Sequence, residues 1–198
     1  MANSTDQPSS AQLILVTGSA RSGKSEWAET LAARSGKSVT YVATAHVDPS
    51  DREWQSRILQ HQQRRPANWK TLSVPIDLSA IIQSASSSDC LLIDSLGTWL
   101  ANLLEQDEET WNDITQLVLS SLAQASSVVI LVSEETGWGV VPAYPSGRLF
   151  RDRLGTLTRQ IGAIADSVYL VTGGYVLNLS QLGVPLEHSI NSVLPGEA

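Results

Sequence analysis

The stretch Gly18-Ser19-Ala20-Arg21-Ser22-Gly23-Lys24-Ser25 decides the fold class of this 198-residue chain. It fits the pattern G-x-x-x-x-G-K-[S/T] and lies between an apolar run at residues 13–16 and a segment at residues 26–34 with helical periodicity. A glycine-rich turn between a strand and a helix directs backbone N–H groups and the positive end of the helix toward phosphate. The sequence therefore predicts that these eight residues bind the phosphates of a nucleotide.

Two side chains of this loop and one distant carboxylate carry the predicted phosphate chemistry. Lys24 is expected to reach the β- and γ-phosphates as a catalytic residue, and Ser25 is expected to supply an oxygen to Mg²⁺. Asp94 ends an apolar run at residues 90–93, where phosphate-loop proteins place the carboxylate that holds Mg²⁺, usually through water. The alternatives for Asp94 are a helix N-cap or a simple strand end.

Strands and helices are predicted to alternate along the rest of the chain. The strands are expected at residues 38–43, 70–74, 90–94, 128–132 and 167–171, and the helices at residues 51–65, 77–86, 96–104, 110–125 and 148–165. This order predicts an α/β nucleoside-triphosphate-binding fold of the phosphate-loop (P-loop) type, with a mostly parallel sheet and helices on both faces. Residues 12–180 are predicted to form one domain between a disordered lead-in at 1–11 and a tail at 181–198, with only weak periodicity from residue 173 onward.

Composition narrows the class of protein. The formal net charge of −7 argues against general nucleic-acid binding, and no apolar run is long enough to cross a bilayer. The polar N-terminus does not resemble a signal peptide, so a cytoplasmic location is expected. The single cysteine, Cys90, excludes a disulfide framework and is expected to be buried and inert. All Lys and Arg residues lie within residues 21–70 or 148–159, which would form a local anion site if the two stretches converge.

A histidine on a predicted helix is a second candidate for catalysis. At helical spacing His61 shares a stripe with Arg65, and Arg57 lies one turn before it. A neutral imidazole can attack phosphorus near neutral pH, and flanking guanidinium groups can neutralise the attacked phosphate. The alternative is a histidine that packs on an apolar face, and His46 and His188 have no comparable setting.

Arginines on the predicted helix at residues 148–165 form a third candidate group. The helix follows a loop rich in glycine and proline, so one of its arginines could reach a phosphate. Ion pairing with Asp152 or simple exposure to solvent is the alternative. The arginines are Arg148, Arg151, Arg153 and Arg159.

Taken together, the motifs resemble the bifunctional adenosylcobinamide kinase/adenosylcobinamide-phosphate guanylyltransferases of cobalamin biosynthesis. The resemblance runs over residues 13–174 and is strongest in the phosphate loop, in Tyr41-Val-Ala-Thr-Ala45, in Arg57-Ile58 with His61 and Arg65-Pro66, and in Ile93-Asp-Ser-Leu-Gly-Thr-Trp-Leu100. Further matches are Asn102-Leu-Leu104, Glu135, Gly137, Gly139-Val-Val-Pro142, Arg148 and Phe150-Arg-Asp152.

The resemblance implies a two-step activity and assigns roles to residues. Such enzymes phosphorylate adenosylcobinamide with a nucleoside triphosphate, either ATP or GTP. They then transfer GMP from GTP through a guanylyl-histidine to adenosylcobinamide phosphate, which gives adenosylcobinamide-GDP. By resemblance, His61 is the nucleophile, Mg²⁺ is the cofactor, and the assembly is a homotrimer. Arg57, Arg65 and Glu135 are expected to bind nucleotide.

The chain departs from the family pattern at three places, and two other functions stay open. Ser19 replaces a common glycine, Glu134 stands where the family usually has asparagine, and the chain after residue 174 lacks the usual short basic ending. A carboxylate at Glu134 is expected to repel phosphate unless Mg²⁺ or an arginine meets it. The alternative functions are a small-molecule kinase without a covalent step and a nucleotide-dependent binding or switch module. The lack of an N-K-x-D motif argues against a GTP switch, even though residues 94–97 spell D-x-x-G.

Overall fold

The structure is a computed structural model that describes residues 11–46 and 65–186. The predicted helix at residues 51–65 therefore lies outside the described residues except for its last residue, and so do Arg57 and His61. Most of the predicted lead-in and the end of the predicted tail also lie outside them. The division of the chain into lead-in, domain and tail stays a prediction.

Seven strands form one sheet in the order β3-β2-β4-β5-β1-β6-β7. Strands β1 to β6 are parallel, and β7 pairs with β6 in the antiparallel direction. The predicted strands and the mostly parallel sheet are thus confirmed. The bounds are β1 Gln12–Gly18, β2 Ser38–Ala43, β3 Lys70–Ser73, β4 Asp89–Asp94, β5 Val128–Glu134, β6 Ser167–Thr172 and β7 Tyr175–Asn178.

Six helices are described, and several begin at a side chain that caps their first turn. Asp77, Ser95, Asp107 and Asn178 each accept a hydrogen bond from a backbone N–H of the helix that follows, which satisfies a donor without an intrahelical partner. The bounds are α1 Lys24–Arg34, α2 Leu78–Ser84, α3 Leu96–Asn102, α4 Glu108–Ala123, α5 Pro145–Ile164 and α6 Leu179–Leu182. None of these helices is long and apolar enough to cross a membrane.

The central strands of the sheet are buried on both faces. Alternate residues of one strand point to opposite faces, so in β5 Val129 and Leu131 join one apolar cluster while Ile130 and Val132 join the other. Side chains of α2, α3, α4 and α5 pack in the first cluster, and α1 packs in the second. Helices on both faces are therefore confirmed.

Several element ends lie up to three residues from their predicted positions, among them the end of β5 and the start of α5. Strand β5 was expected to end at Val132, but the ladder with β1 continues and pairs Gly18 with Glu134. Helix α5 was expected to begin at Arg148, yet it begins at Pro145. Proline fits the first turn of a helix because backbone N–H groups there make no intrahelical hydrogen bond, so the missing N–H of proline costs none.

The weak periodicity from residue 173 onward did not predict the hairpin that the structure has there. Gly173 and Gly174, with φ of 57° and 82°, form a two-residue turn that reverses the chain. Thr172 then pairs with Tyr175 and starts the antiparallel strand β7. A Gly-Gly pair between two apolar runs is a sequence pattern typical of such a hairpin, so the sequence did contain the information.

Candidate active site

The backbone of the predicted phosphate loop turns tightly between β1 and α1. A Cβ at Gly18 would lie 2.4 Å from the carbonyl oxygen of Val171, so only glycine fits there without a shift of the backbone. Arg21 and Gly23 both have positive φ, at 58° and 93°. Gly23 is the N-cap of α1, and its carbonyl accepts the first helical bond, from Trp27 N–H at 3.0 Å. The loop thus leads directly into a helix N-terminus, the arrangement that favours phosphate.

Lys24 is held inside this turn. The side chain is only 8% exposed, and its Nζ donates a hydrogen bond to the carbonyl oxygen of Ser19 at 3.2 Å. The backbone N–H of Ser22 donates to the same carbonyl at 3.3 Å. Ser19 and Ala20 themselves are exposed at the top of the loop. The ammonium group is therefore already positioned within the loop that is expected to bind phosphate.

Ser25 and Asp94 meet at the carboxyl end of the sheet. The Ser25 hydroxyl donates to Asp94 Oδ1 at 3.4 Å, although the two residues lie 69 positions apart in the sequence. The N-cap of α3 is Ser95 and not Asp94, so the helix-cap alternative for Asp94 is wrong. Asp94 is the last residue of β4. The structure brings together the two residues predicted to hold the metal.

The second oxygen of Asp94 is bound by Tyr41, a residue that the sequence analysis did not single out as a site residue. The buried Tyr41 hydroxyl donates to Asp94 Oδ2 at 2.8 Å. Burial, together with the neighbouring Asp94 carboxylate, raises the pKa of Tyr41 well above its ordinary value, so this hydroxyl keeps its proton. The Arg65 guanidinium carbon lies 3.2 Å from the centroid of the Tyr41 ring.

Arg65 was predicted to bind nucleotide, and the structure gives it two contacts. Besides the contact with the Tyr41 ring, its Nη1 lies 3.5 Å from the Thr71 hydroxyl on β3. Arg65 is therefore linked to Asp94 through a single intervening side chain. Its role toward nucleotide stays a prediction.

The neighbouring carboxylates Glu134 and Glu135 have different partners. Glu135 follows β5, its N–H donates to Gly18 O at 2.9 Å, and its carboxylate accepts from the Thr17 hydroxyl at 2.6 Å. Glu134 instead accepts from the Ser95 hydroxyl at 2.5 Å and from Gly97 N–H at 3.0 Å. Two donors at the start of α3 thus bind the Glu134 carboxylate. The sequence had predicted that Mg²⁺ or an arginine would be needed to neutralise it, and neither of these donors is a metal or an arginine.

The arginines of α5 do not form a common anion site. Arg153 is buried and donates to Leu104 O at 3.2 Å and to Gln106 O at 2.8 Å. Arg148 donates to the carbonyls of residues 142 and 143, and Arg159 is exposed. Arg151 forms an ion pair with Asp152 at 2.9 Å, which was one of the alternatives to phosphate binding. The contacts of Arg148 and Arg153 stabilise loops and give these residues a structural role.

Magnesium is implied by the loop, and the chemistry of the donors fits it. In the described part of the chain no group of three or more His, Cys, Asp or Glu residues could hold a metal ion. A phosphate-loop site does not need such a group, because Mg²⁺ is held by one or two protein oxygens together with water and substrate phosphates. The hydroxyl of Ser25 and the carboxylate of Asp94 are donors of that kind.

Comparison with known proteins identifies the family. A family model described as cobinamide kinase / cobinamide phosphate guanyltransferase matches residues 14–179. The chain belongs to this family. The match includes the phosphate loop and every described residue discussed above as part of the candidate site.

Curated relatives of the cobinamide kinase / cobinamide phosphate guanyltransferase family align over most of their length. The bifunctional adenosylcobalamin biosynthesis protein CobP of Pseudomonas aeruginosa is 41% identical over 174 residues, which covers 87% of this chain and 98% of the relative. Its counterpart CobU of Salmonella typhimurium is 35% identical over 177 residues, which covers 82% and 96%.

Solved structures support the fold independently. A protein of Pyrococcus horikoshii OT3 aligns with a TM-score of 0.54 at 7% identity and 85% coverage of both chains. An ATPase from the type III secretion system of pathogenic bacteria aligns with a TM-score of 0.53 at 11% identity, covering 89% of this chain and 60% of that one. At such low identities these likenesses show the fold alone, and the predicted mostly parallel α/β fold is confirmed.

Proposed function

We propose that this chain is an adenosylcobinamide kinase and adenosylcobinamide-phosphate guanylyltransferase. The observation that carries the proposal is the contact between Ser25 of the phosphate loop and Asp94 at the carboxyl end of the sheet, with Lys24 held in the same loop, in a chain that belongs to the cobinamide kinase / cobinamide phosphate guanyltransferase family. A binding module would need the phosphate loop, but it would not need the remainder of the family pattern. The proposal includes a cytoplasmic location and a homotrimeric assembly as expectations.

In the kinase step, the phosphate loop binds the nucleoside triphosphate and the hydroxyl of adenosylcobinamide attacks the γ-phosphorus. A new P–O bond to the corrinoid forms as the bond between the γ-phosphorus and the β,γ-bridging oxygen breaks. The nucleoside diphosphate leaves, and the hydroxyl proton passes to solvent or to a base. Lys24 neutralises charge on the β- and γ-phosphates, and the loop N–H groups hold the oxygens in place.

In the guanylyl transfer, the His61 imidazole attacks the α-phosphorus of GTP. A P–N bond forms, the bond to the α,β-bridging oxygen breaks, and pyrophosphate leaves. A phosphate oxygen of adenosylcobinamide phosphate then attacks the same phosphorus and releases the histidine, which gives adenosylcobinamide-GDP. This covalent route activates GMP before the corrinoid acceptor arrives. His61 lies outside the described residues, so its role rests on the sequence and on the family.

Ser25 and Asp94 are the residues that would hold Mg²⁺. The ion would neutralise negative charge on the phosphates of the bound nucleotide. The orientation of these two side chains is set by the protein itself, because Asp94 binds Ser25 through one oxygen and Tyr41 through the other.

The covalent intermediate provides the direct test. We would incubate purified protein with Mg²⁺ and GTP labelled at the α-phosphate, and then analyse it on a denaturing gel. The wild type should retain a label that is lost in acid and survives alkali, as expected for a phosphoramidate. The His61→Ala variant should retain none, while the matched variant of the exposed His46, His46→Ala, should label like the wild type.

The outcomes separate the candidate functions. If folded wild type takes up no label, the transferase half of the proposal is wrong, and phosphorylation of adenosylcobinamide would then identify a kinase without a covalent step. Label on His61→Ala would place the nucleophile elsewhere. Absence of both reactions, together with tight nucleotide binding, would favour the binding or switch module.

A further inference from the structure

Tyr41 lies in a stretch that carries the family resemblance, and the structure shows its hydroxyl in contact with the candidate metal residue Asp94. We propose that Tyr41 is a positioning residue for Asp94, and that its hydroxyl fixes the carboxylate so that the other oxygen faces Ser25 and the metal of a bound nucleotide. The proposal rests on the proposed nucleotide and metal site and adds a residue to it. Tyr41 lies on β2, a different strand from Asp94 and a different element from the phosphate loop.

The two oxygens of Asp94 are divided between two partners. The Tyr41 hydroxyl donates to Oδ2 at 2.8 Å, whereas the longer contact of 3.4 Å joins Oδ1 to the Ser25 hydroxyl. Strands β2 and β4 are neighbours in parallel register, with Ala43 opposite Asp94. A carboxylate at a strand end can rotate about its side-chain bonds. A short hydrogen bond from a rigid ring restricts that rotation and selects the orientation in which Oδ1 faces the loop.

The tyrosine ring is itself fixed. Tyr41 is only 4% exposed and belongs to the apolar cluster beneath α1. The Arg65 guanidinium lies over its ring, where the negative face of the aromatic system attracts a cation. Both the depth of the ring in the core and the arginine above it limit the positions that the hydroxyl can take.

The hydrogen bond from Tyr41 to Asp94 should affect metal affinity, because residues that orient a metal ligand contribute strongly to metal binding. Removal of such a partner typically lowers metal affinity about 10- to 100-fold. Phenylalanine at position 41 would keep the ring and its contact with Arg65 and would remove only the hydroxyl. The carboxylate would remain, but with one oxygen unrestrained.

The experiment measures metal-dependent nucleotide binding rather than turnover. The full chain is mixed with a subsaturating amount of fluorescent mant-GDP, which has no γ-phosphate to transfer, and Mg²⁺ is titrated while fluorescence anisotropy is recorded. In Tyr41→Phe the Mg²⁺ concentration for half-maximal binding should rise roughly tenfold. The control Tyr169→Phe changes a tyrosine on β6 that packs edge-on against Trp27, and it should leave that concentration unchanged.

A double variant tests whether the effect runs through Asp94. If Tyr41 acts by positioning that carboxylate, Tyr41→Phe should cause no further shift in an Asp94→Asn background. A full and independent shift in that background would overturn the proposal, because it would show a general structural effect. Thermal unfolding of each variant establishes that the compared proteins are folded.

The remaining outcomes distinguish this inference from the proposed function. If wild type binds mant-GDP with Mg²⁺ dependence and Tyr41→Phe has the same half-maximal concentration, the inference is wrong and the proposed site stands. If wild type binds the nucleotide without any dependence on Mg²⁺, both the inference and the metal role of Asp94 are wrong. If wild type does not bind the nucleotide at all, the proposed site itself is wrong and the inference falls with it.

Discussion

Replacement of Gly97 by alanine is expected to destabilise the protein through Glu134. A Cβ at this position would lie 2.2 Å from Glu134 Oε2 and 2.9 Å from its carboxyl carbon, so the carboxylate must move away. That movement breaks the hydrogen bond from Gly97 N–H and the one from the Ser95 hydroxyl. The perturbation is therefore a single methyl group that removes two hydrogen bonds to a charged acceptor.

The size of the effect follows from these contacts. Hydrogen bonds to charged groups contribute about 1.5–3 kcal/mol each when buried, but Glu134 is only half-buried and regains hydration when it moves, so the pair contributes about 3 kcal/mol at most. Alanine in place of glycine in a helix returns about 0.5–1 kcal/mol. The net loss is therefore at most about 2 kcal/mol, which lowers the melting temperature of a domain of this size by up to about 4–8 °C.

Thermal unfolding followed by circular dichroism measures this loss, and the chain provides a matched control. Gly155 lies inside helix α5, and a Cβ there would meet no atom within 4 Å. Gly155→Ala should therefore raise the free energy of unfolding by about 0.5–1 kcal/mol through helix propensity alone. Replacement of glycine by alanine is thus expected to lower the free energy of unfolding at position 97 and to raise it at position 155.

Whether Gly97→Ala lowers or raises the free energy of unfolding should also depend on Glu134. In a Glu134→Ala background the carboxylate is absent, so Gly97→Ala should become neutral or stabilising. The reasoning would be refuted if Gly97→Ala melted at or above the wild-type temperature. It would also be refuted if the loss were equally large in the Glu134→Ala background, because the clash with the carboxylate would then not be its cause.

Two further predictions concern the core. Arg153→Met should lower the free energy of unfolding, measured in urea, by about 2–4 kcal/mol, because two backbone carbonyls lose the buried side chain that donates hydrogen bonds to them. An unchanged affinity for mant-GDP would show that Arg153 stabilises the fold and does not bind phosphate. Burial raises the pKa of the Cys90 thiol to about 11, above its ordinary value of 9.0, so the folded state keeps a proton that the unfolded state releases. The contribution of Cys90 to stability should be complete below about pH 9 and should decrease as the pH rises toward 11. The difference in unfolding free energy between wild type and Cys90→Ala should therefore be smaller at about pH 10.5 than at about pH 7.5, and a constant difference would contradict the prediction.

The central strands could be predicted from sequence because they are buried on both faces. A continuous apolar run such as residues 90–93 indicates a central strand when a carboxylate follows it and a phosphate loop lies earlier in the chain. The end of β5 was missed because Ser133 and Glu134 are polar, yet their backbone continues the ladder with β1. Hydrophobic patterning detects buried side chains and not backbone pairing, so polar strand ends escape it.

The roles of Tyr41 and Arg153 could not be predicted from sequence. Tyr41 reaches Asp94 only because β2 and β4 are adjacent in a particular register, and the two residues lie 53 positions apart. Arg153 is a charged helical residue whose partners are backbone carbonyls 47 and 49 positions away. Neither residue type nor spacing encodes such partners, since they are fixed by strand order and by helix packing.

The carboxylates at the ends of β4 and β5 show how an acidic group can be accommodated beside the predicted phosphate site. Glu134 is bound by donors at the start of α3, and Glu135 is bound by Thr17. Asp94 instead contacts the helix of the phosphate loop, through Ser25. The strand ends bring all three carboxylates to the same edge of the sheet, but the hydrogen-bond donors around each carboxylate determine its orientation. Position 134, where the resemblance predicts asparagine, can therefore hold a glutamate, because donors at the start of α3 bind its carboxylate, while Asp94 contacts Ser25.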